Sequence, residues 1–176
     1  MNDPDQERRN IYSARCHCGD VRGKFVYNED LVSAWTCNCS DCSMRGNVHI
    51  VVPVEDFSLD LEEGKTLEEF TILYQWGTKA ARRNFCKRCG ILPWYTPRSN
   101  PDGVAITLNS IDWGDGKKPE VEINYFDGIH WEESFAASTV IFQQSLRKIS
   151  KRCRYLYHVS YQVSSMFALY KKLHTL

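Results

Sequence analysis

The sequence predicts a small all-β domain of short antiparallel strands. Two observations carry that expectation. Between residues 20 and 126 the apolar residues come in short runs, several at period two, separated by turn formers, with no convincing helical face. Seven of the eight cysteines also fall into three tight groups: Cys16-His17-Cys18, Cys37-Asn38-Cys39-Ser40-Asp41-Cys42 and Cys86-Lys87-Arg88-Cys89. At Cys-x-Cys and Cys-x-x-Cys spacing, neighbouring thiolates can converge on one metal ion, and the residues beside these groups read as strands entering or leaving them.

The elements follow in order. Residues 1–13 read as a solvated leader, of which 1–11 fall outside the domain. After the first cysteine pair, Val21, Gly23, Phe25 and Tyr27 alternate with mostly polar residues, a strand over 20–27. Leu31–Thr36 is a second strand entering the triple-cysteine turn. Residues 47–54 (NVHIVVPV) are β-branched and compact, and Pro53 marks an edge or a strand end. Glu62-Glu63-Gly64-Lys65 is a turn. Phe70, Ile72, Tyr74 and Trp76 alternate with Thr71, Leu73 and Gln75, a further strand, and Arg82–Phe85 leads into the last cysteine pair. Residues 93–103 are rich in Pro, Asn, Asp, Ser and Gly and read as a long loop. Val104–Leu108 and Val121–Phe126 are strands on either side of the turn-rich segment 112–119.

The chain of 176 residues balances 22 Lys and Arg against 22 Asp and Glu. The balance hides an asymmetry: residues 1–134 carry 15 basic and 22 acidic residues, a net of −7. The last 42 residues carry seven basic residues and no acid, a net of +7. The break divides a domain over 12–134 from a basic tail over 135–176. In the tail, Val140, Ile141, Leu146, Ile149, Cys153 and Leu156 lie on one helical face, and Met166, Phe167, Leu169, Tyr170 and Leu173 on another. Such a tail offers a helix for a protein partner or a basic patch for nucleic acid or anionic lipid; the plainer reading is a variant C-terminus without selected structure. No run approaches the length of a membrane span, and the polar N-terminus lacks a secretory signal. A cytoplasmic or nuclear location is expected, where thiols stay reduced and clustered cysteines mean metal or catalysis before disulfides.

Seven clustered thiolates cannot fill two closed four-cysteine sites. They fit one closed site of four and one of three with a position open to solvent or substrate, two zinc ions per chain. Spacing leaves the division open. Cys16 and Cys18 can join Cys86 and Cys89, leaving Cys37, Cys39 and Cys42 together; or Cys39 and Cys42 can join Cys86 and Cys89 as in a zinc ribbon. The triple can also close on His17, His49 or Asp41 as fourth ligand. An open three-thiolate zinc is a weak Lewis acid suited to capturing a thiol as thiolate beside an electrophile. There is no Gly-rich phosphate loop, His-Glu-x-x-His motif or nucleophile elbow. His17, His49 and His130 read as surface or packing residues, and Arg45, Trp94 and Arg98 as pocket or packing residues.

The order Cys-x-Cys-Gly, Cys-x-Cys-x-x-Cys, Phe-Cys-x-x-Cys-Gly resembles the glutathione-dependent formaldehyde-activating enzyme family, and within it the centromere protein V branch. The likeness is carried by Cys37–Cys42 (CNCSDC), His49–Pro53 (HIVVP), Phe85–Gly90 (FCKRCG), Tyr95–Gly103 (YTPRSNPDG) and Phe126–Glu132 (FDGIHWE). The resemblance implies a β-tent type fold, with Cys16, Cys18, Cys86 and Cys89 holding a structural zinc and Cys37, Cys39 and Cys42 a catalytic-type zinc. It implies a carbon–sulfur lyase acting on S-hydroxymethylglutathione, the adduct of a glutathione-like thiol and formaldehyde. The alternative is a non-catalytic zinc-stabilised binding module. Ser43-Met44-Arg45-Gly46 departs from the family, whose bacterial members commonly place a basic pair there.

Overall fold

A computed structural model describes residues 10–28, 31–114 and 119–138. The helical faces and partner roles read in the tail lie outside the described residues. Within them the chain is mostly β, with short strands and three short helices. A four-stranded antiparallel sheet contains β1 (Ile11–Arg15), β2 (Arg22–Val26), β5 (Phe57–Leu59) and β10 (Ile111–Asp112), in the order β10-β1-β2-β5. A seven-stranded sheet contains β3 (Leu31–Cys37), β4 (Val48–Pro53), β6 (Thr71–Tyr74), β7 (Arg82–Cys86), β8 (Trp94–Thr96), β9 (Gly103–Thr107) and β11 (Glu120–Phe126). Its order is β11-β3-β4-β9-β8-β7-β6.

The two sheets share one apolar core. Ala14 and Phe25 come from the smaller sheet; Val32, Ala34, Ile50, Val52, Trp94, Val104 and Ile106 come from the larger. Period-two alternation locates β2 well: Gly23 and Phe25 are buried, while Arg22 and Lys24 are exposed. Pro53 ends β4, whose flanks are both paired, so the strand-end reading of that proline holds. The turn at 62–65 closes through Lys65 N–H donating to the Glu62 carbonyl at 3.0 Å.

Several expectations need correction. Residues 11–13 are not leader: Ile11–Arg15 form β1, paired from Ile11↔Val26 to Arg15↔Arg22, and partnership across the knuckle outweighs weak local alternation. The long loop over 93–103 contains β8, whose Trp94 and Tyr95 are buried against β7 and β9. Phe70 does not open a strand; it closes a helix, α2 (Leu67–Phe70), started by a reciprocal Thr66–Glu69 capping box. The alternation continuing into β6 does not mark a buried face, because this edge strand leaves Ile72, Leu73 and Tyr74 exposed. The pairing is also not wholly antiparallel. β11 runs parallel to β3, from Glu120↔Leu31 to Phe126↔Cys37, and so delivers the loop after Phe126 to the end of β3.

Two further helices flank that end. α1 (Ser40–Arg45) begins within the second cysteine group, carries Cys42 and stops at Gly46, and α3 (Trp131–Ala137) follows the loop after β11. No helix among the described residues is long and apolar enough to cross a membrane.

Candidate metal centres

Cys16 and Cys18 lie in the turn between β1 and β2. Cys16 N–H donates to the Val21 carbonyl at 2.9 Å and Val21 N–H to Cys16 Sγ at 3.3 Å. Cys86 ends β7, where its N–H donates to the Ile91 carbonyl and Gly90 N–H donates back to the Cys86 carbonyl. Each knuckle turns on the glycine after its last cysteine, Gly19 at φ +85° and Gly90 at φ +73°. This left-handed backbone is strained for other L residues, so the Cys-Gly step in both groups is a turn requirement. The result brings the sulfurs of Cys16, Cys18, Cys86 and Cys89 within 4.8 Å of one another. Cys18 Sγ stands 3.5 Å from the sulfurs of both Cys16 and Cys86, well beyond a disulfide.

The second group forms where β3 runs into α1. Cys37 is the last residue of the strand, Cys39 the N-cap of the helix and Cys42 lies one turn inside it. Their sulfurs also lie within 4.8 Å of one another. The grouping is therefore four and three, and the ribbon pairing of Cys39 and Cys42 with Cys86 and Cys89 is not the one present. Among the described residues no His, Asp or Glu joins the triple. Asp41 is turned to Arg45 Nη2 and Arg83 Nε, at 2.6 Å from each. His49 is tied to Asn47, and His17 is exposed in the other knuckle. Sulfurs this close compete for protons. Hydrogen bonds from Cys37 and then Cys42 draw Cys39 down to about 2, while Cys37 and then Cys39 push Cys42 up. A trio that concentrates negative charge in this way suits a soft cation.

A cavity of about 210 Å³ opens beside the triple. Cys37, Cys39 and Cys42 line it together with His49, Arg83, Tyr95, Arg98, Gly128 and the indoles of Trp35, Trp76 and Trp131. The guanidinium groups of Arg45 and Arg83 lie 5.7 and 5.6 Å from the Tyr95 ring centre, within cation–π range, and Asp41 couples the two. Arg98 sits 3.5 Å over the Trp131 ring and pairs with Glu132. Of the arginines read as pocket or packing residues, Arg98 lines the cavity and Arg45 braces its wall. Trp94 is core, packed against Phe57.

The loop after β11 is clamped onto the triple-cysteine turn. Asn38 Nδ2 donates to Asp127 Oδ1 at 2.9 Å, and Asn38 Oδ1 accepts the Gly128 and Ile129 N–H groups at 2.7 and 3.1 Å. Gly128 is there for space: a methyl group built on it would overlap Cys37 Sγ and come within 3.0 Å of Cys39 Cβ. Gly128→Ala is expected to lift the loop and weaken metal binding at the triple alone, read as one metal equivalent lost with the melting transition kept.

Asp127 also accepts from His130 at 2.8 Å. His130 and then Asn38 hold the Asp127 carboxyl down to about 2, and Asp127 raises His130 above the usual imidazole range. The lowered carboxyl stabilises the loop above its unfolded value, and that contribution fades as pH falls toward 2. The raised imidazole stabilises it below its unfolded value near ~6.5, and that contribution fades as pH rises through the folded value. Loop amide protection should thus be greatest between about pH 4 and 6.5. An NMR titration should place His130 above a model imidazole, and Asp127→Asn should bring it back.

A profile of the glutathione-dependent formaldehyde-activating enzyme family matches residues 11–127, more than half of the chain. The chain belongs to this family. Its fold is similar to the crystal structure of a Rhodobacter sphaeroides protein, a structural-genomics target, with TM-score 0.51 and 28% identity. That match covers 64% of this chain and 99% of the other. The family match spans both cysteine groups and ends at Asp127, beside the loop that closes over the triple. Sequence reading found the seven cysteines and weighed His49 as a fourth ligand of the triple, but not Tyr95, Arg83 or Gly128 as its neighbours. His49 carried a usable signal: it shares the period-two face of β4 with Asn47 and Val51, and Val51 also lines the cavity.

Proposed function

We propose that the protein is a zinc-dependent carbon–sulfur lyase-type enzyme that makes or breaks a thiol–aldehyde adduct, S-hydroxymethylglutathione being the adduct its family membership points to. One observation carries this reading: three clustered cysteine sulfurs, joined by no other His, Asp or Glu among the described residues, form part of the wall of a cavity. The four-sulfur group fits a structural zinc held by Cys16, Cys18, Cys86 and Cys89. Tetrahedral zinc with sulfur at about 2.3 Å requires sulfurs roughly 3.8 Å apart, and the sulfurs of Cys16 and Cys86 each lie 3.5 Å from that of Cys18. Cys37, Cys39 and Cys42 would hold the second, catalytic-type zinc. When bound there, zinc supplies the charge that keeps an incoming thiol in its thiolate form at neutral pH.

The chain's own residues supply the rest. Arg83 and Arg45, two cations against one carboxylate, place net positive charge at the cavity wall for a carboxylate of a glutathione-like thiol. Asp41, shared by Arg45 and Arg83, fixes the first of these charges against the wall. The indoles of Trp35, Trp76 and Trp131 limit the water that reaches the reacting carbon. The motif likeness to the centromere protein V branch, in HIVVP and FDGIHWE, belongs to the same proposal.

Metal content combined with thiol titration tests it. The purified chain should carry two zinc ions, and in a cobalt-substituted sample millimolar glutathione should change the spectrum of one site and leave the other alone. A chain that shows no spectral response and no turnover of the glutathione–formaldehyde adduct would instead be a zinc-stabilised binding module.

A further inference from the structure

The cavity contains two buried polar side chains that no step so far employs. His49 projects from β4 and Tyr95 from β8, and both are at least nine-tenths buried. Their rings meet edge to face, with centres 5.5 Å apart. Asn47 Nδ2 lies 3.1 Å from His49 Nδ1, so with the amide donating there the single ring proton sits on Nε2. The Tyr95 hydroxyl oxygen stands 3.4 Å from both ring nitrogens and is therefore in line with neither. Each group keeps donor capacity for a third partner.

We propose that His49 and Tyr95 form the oxygen-binding subsite of the cavity, holding the carbonyl oxygen of the aldehyde in one direction and the hydroxyl of the thiol adduct in the other. The inference rests on the reading of the cavity as a thiol–aldehyde site. In the adding direction a sulfur lone pair forms the C–S bond and the carbonyl π pair moves to oxygen. That oxygen takes up the proton given up by the thiol. In reverse, the C–S bond breaks with its pair going to sulfur, the C=O bond re-forms and the hydroxyl proton leaves. No other reactant is consumed. Charge grows on oxygen in the transition state, and donors fixed in a buried wall are stronger there than in water.

The electrical state of the pair suits this role. Burial, then the charge of Arg45, holds His49 down to about 4, so the imidazole is neutral at working pH and donates as a neutral group. Burial raises Tyr95 above the usual phenol range and keeps its proton in place. Arg45 and Arg83 on the Tyr95 ring hold the phenol in position without a bond to its oxygen.

The test uses the zinc-loaded full chain with glutathione and formaldehyde. Tyr95→Phe, which keeps the ring between the arginines, and His49→Leu should each lower kcat about 10²-fold or more, as loss of one such donor does elsewhere. Metal content should stay at two and thiol affinity within about twofold. His49→Gln, which restores an N–H, should recover at least tenfold over His49→Leu. Independently of turnover, the His49 Nε2–H resonance of the wild type should move when formaldehyde is added to glutathione-saturated protein, and not with glutathione alone. If His49→Leu does not fold, Tyr95→Phe and the resonance decide. Wild-type kcat in Tyr95→Phe, an unmoved resonance, or parallel loss of metal and thiol affinity would overturn the subsite. A wild type in which glutathione perturbs neither metal would overturn the underlying reading, and the subsite with it.

Discussion

Cys39→Ser is expected to remove one of two zinc ions and to lower turnover of the glutathione–formaldehyde adduct by about 10³-fold or more, with little change in melting temperature. The magnitude follows from the several kcal/mol of charge stabilisation that a catalytic metal supplies, at 1.36 kcal/mol per tenfold in rate. Cys39 is the most telling of the three because it lies at the N-cap, between the strand that ends at Cys37 and the helix that carries Cys42. The fold should survive because other contacts secure the surroundings. β11 pairs with β3 along its full length, Asn38 ties the following loop, and Asp41 binds Arg45 and Arg83. Metal analysis, a thermal melt and steady-state kinetics on one sample check all three parts. Turnover within tenfold of wild type after loss of that zinc would sink the catalytic assignment of the triple.

Much of this site is legible in the sequence, and the reason lies in how local its signals are. Cys-x-Cys, Cys-x-x-Cys and the glycines after Cys18 and Cys89 encode turns whose geometry depends on a few adjacent residues. The count of seven suggests a group of four and a group of three, and the sulfurs do gather in that way. What spacing leaves open is which pairs meet, and that depends on β1–β2 and β7–β8 being brought together by two different sheets. The same limit hides β1 and β8. Ile11–Arg15 and Trp94–Thr96 have little periodicity of their own and become strands because partners on either side supply their hydrogen bonds. Conversely, β6 alternates well in sequence and lies at an exposed edge, since alternation reports the pleat and not what covers it. His49 and Tyr95 are 46 residues apart and meet only across β4, β9 and β8, a relation no local window contains.

Cys89→Ser should have the opposite signature to Cys39→Ser: loss of the cooperative fold, with activity lost as a consequence. The four-sulfur group brings the β1–β2 turn of the smaller sheet against the β7–β8 turn of the larger one, so a zinc held there would cross-link the two halves of the core. A structural zinc contributes about 10–16 kcal/mol of apparent binding free energy, against a typical domain stability of about 5–15 kcal/mol. Removing one ligand therefore puts the whole margin at risk. Cys89 is chosen over Cys16 or Cys86 because those two are fully buried and a serine there would also leave a hydroxyl in the core. Chelator titration gives the same contrast without mutation. The triple beside the cavity should release its metal first with the near-ultraviolet circular dichroism unchanged, and the second metal should leave only as that signal collapses. If both ions left together with the fold intact, the four-sulfur group would not be the cross-link, and the sheets would have to be held by their shared apolar core alone, with Phe25, Ile50 and Ile106 at its centre.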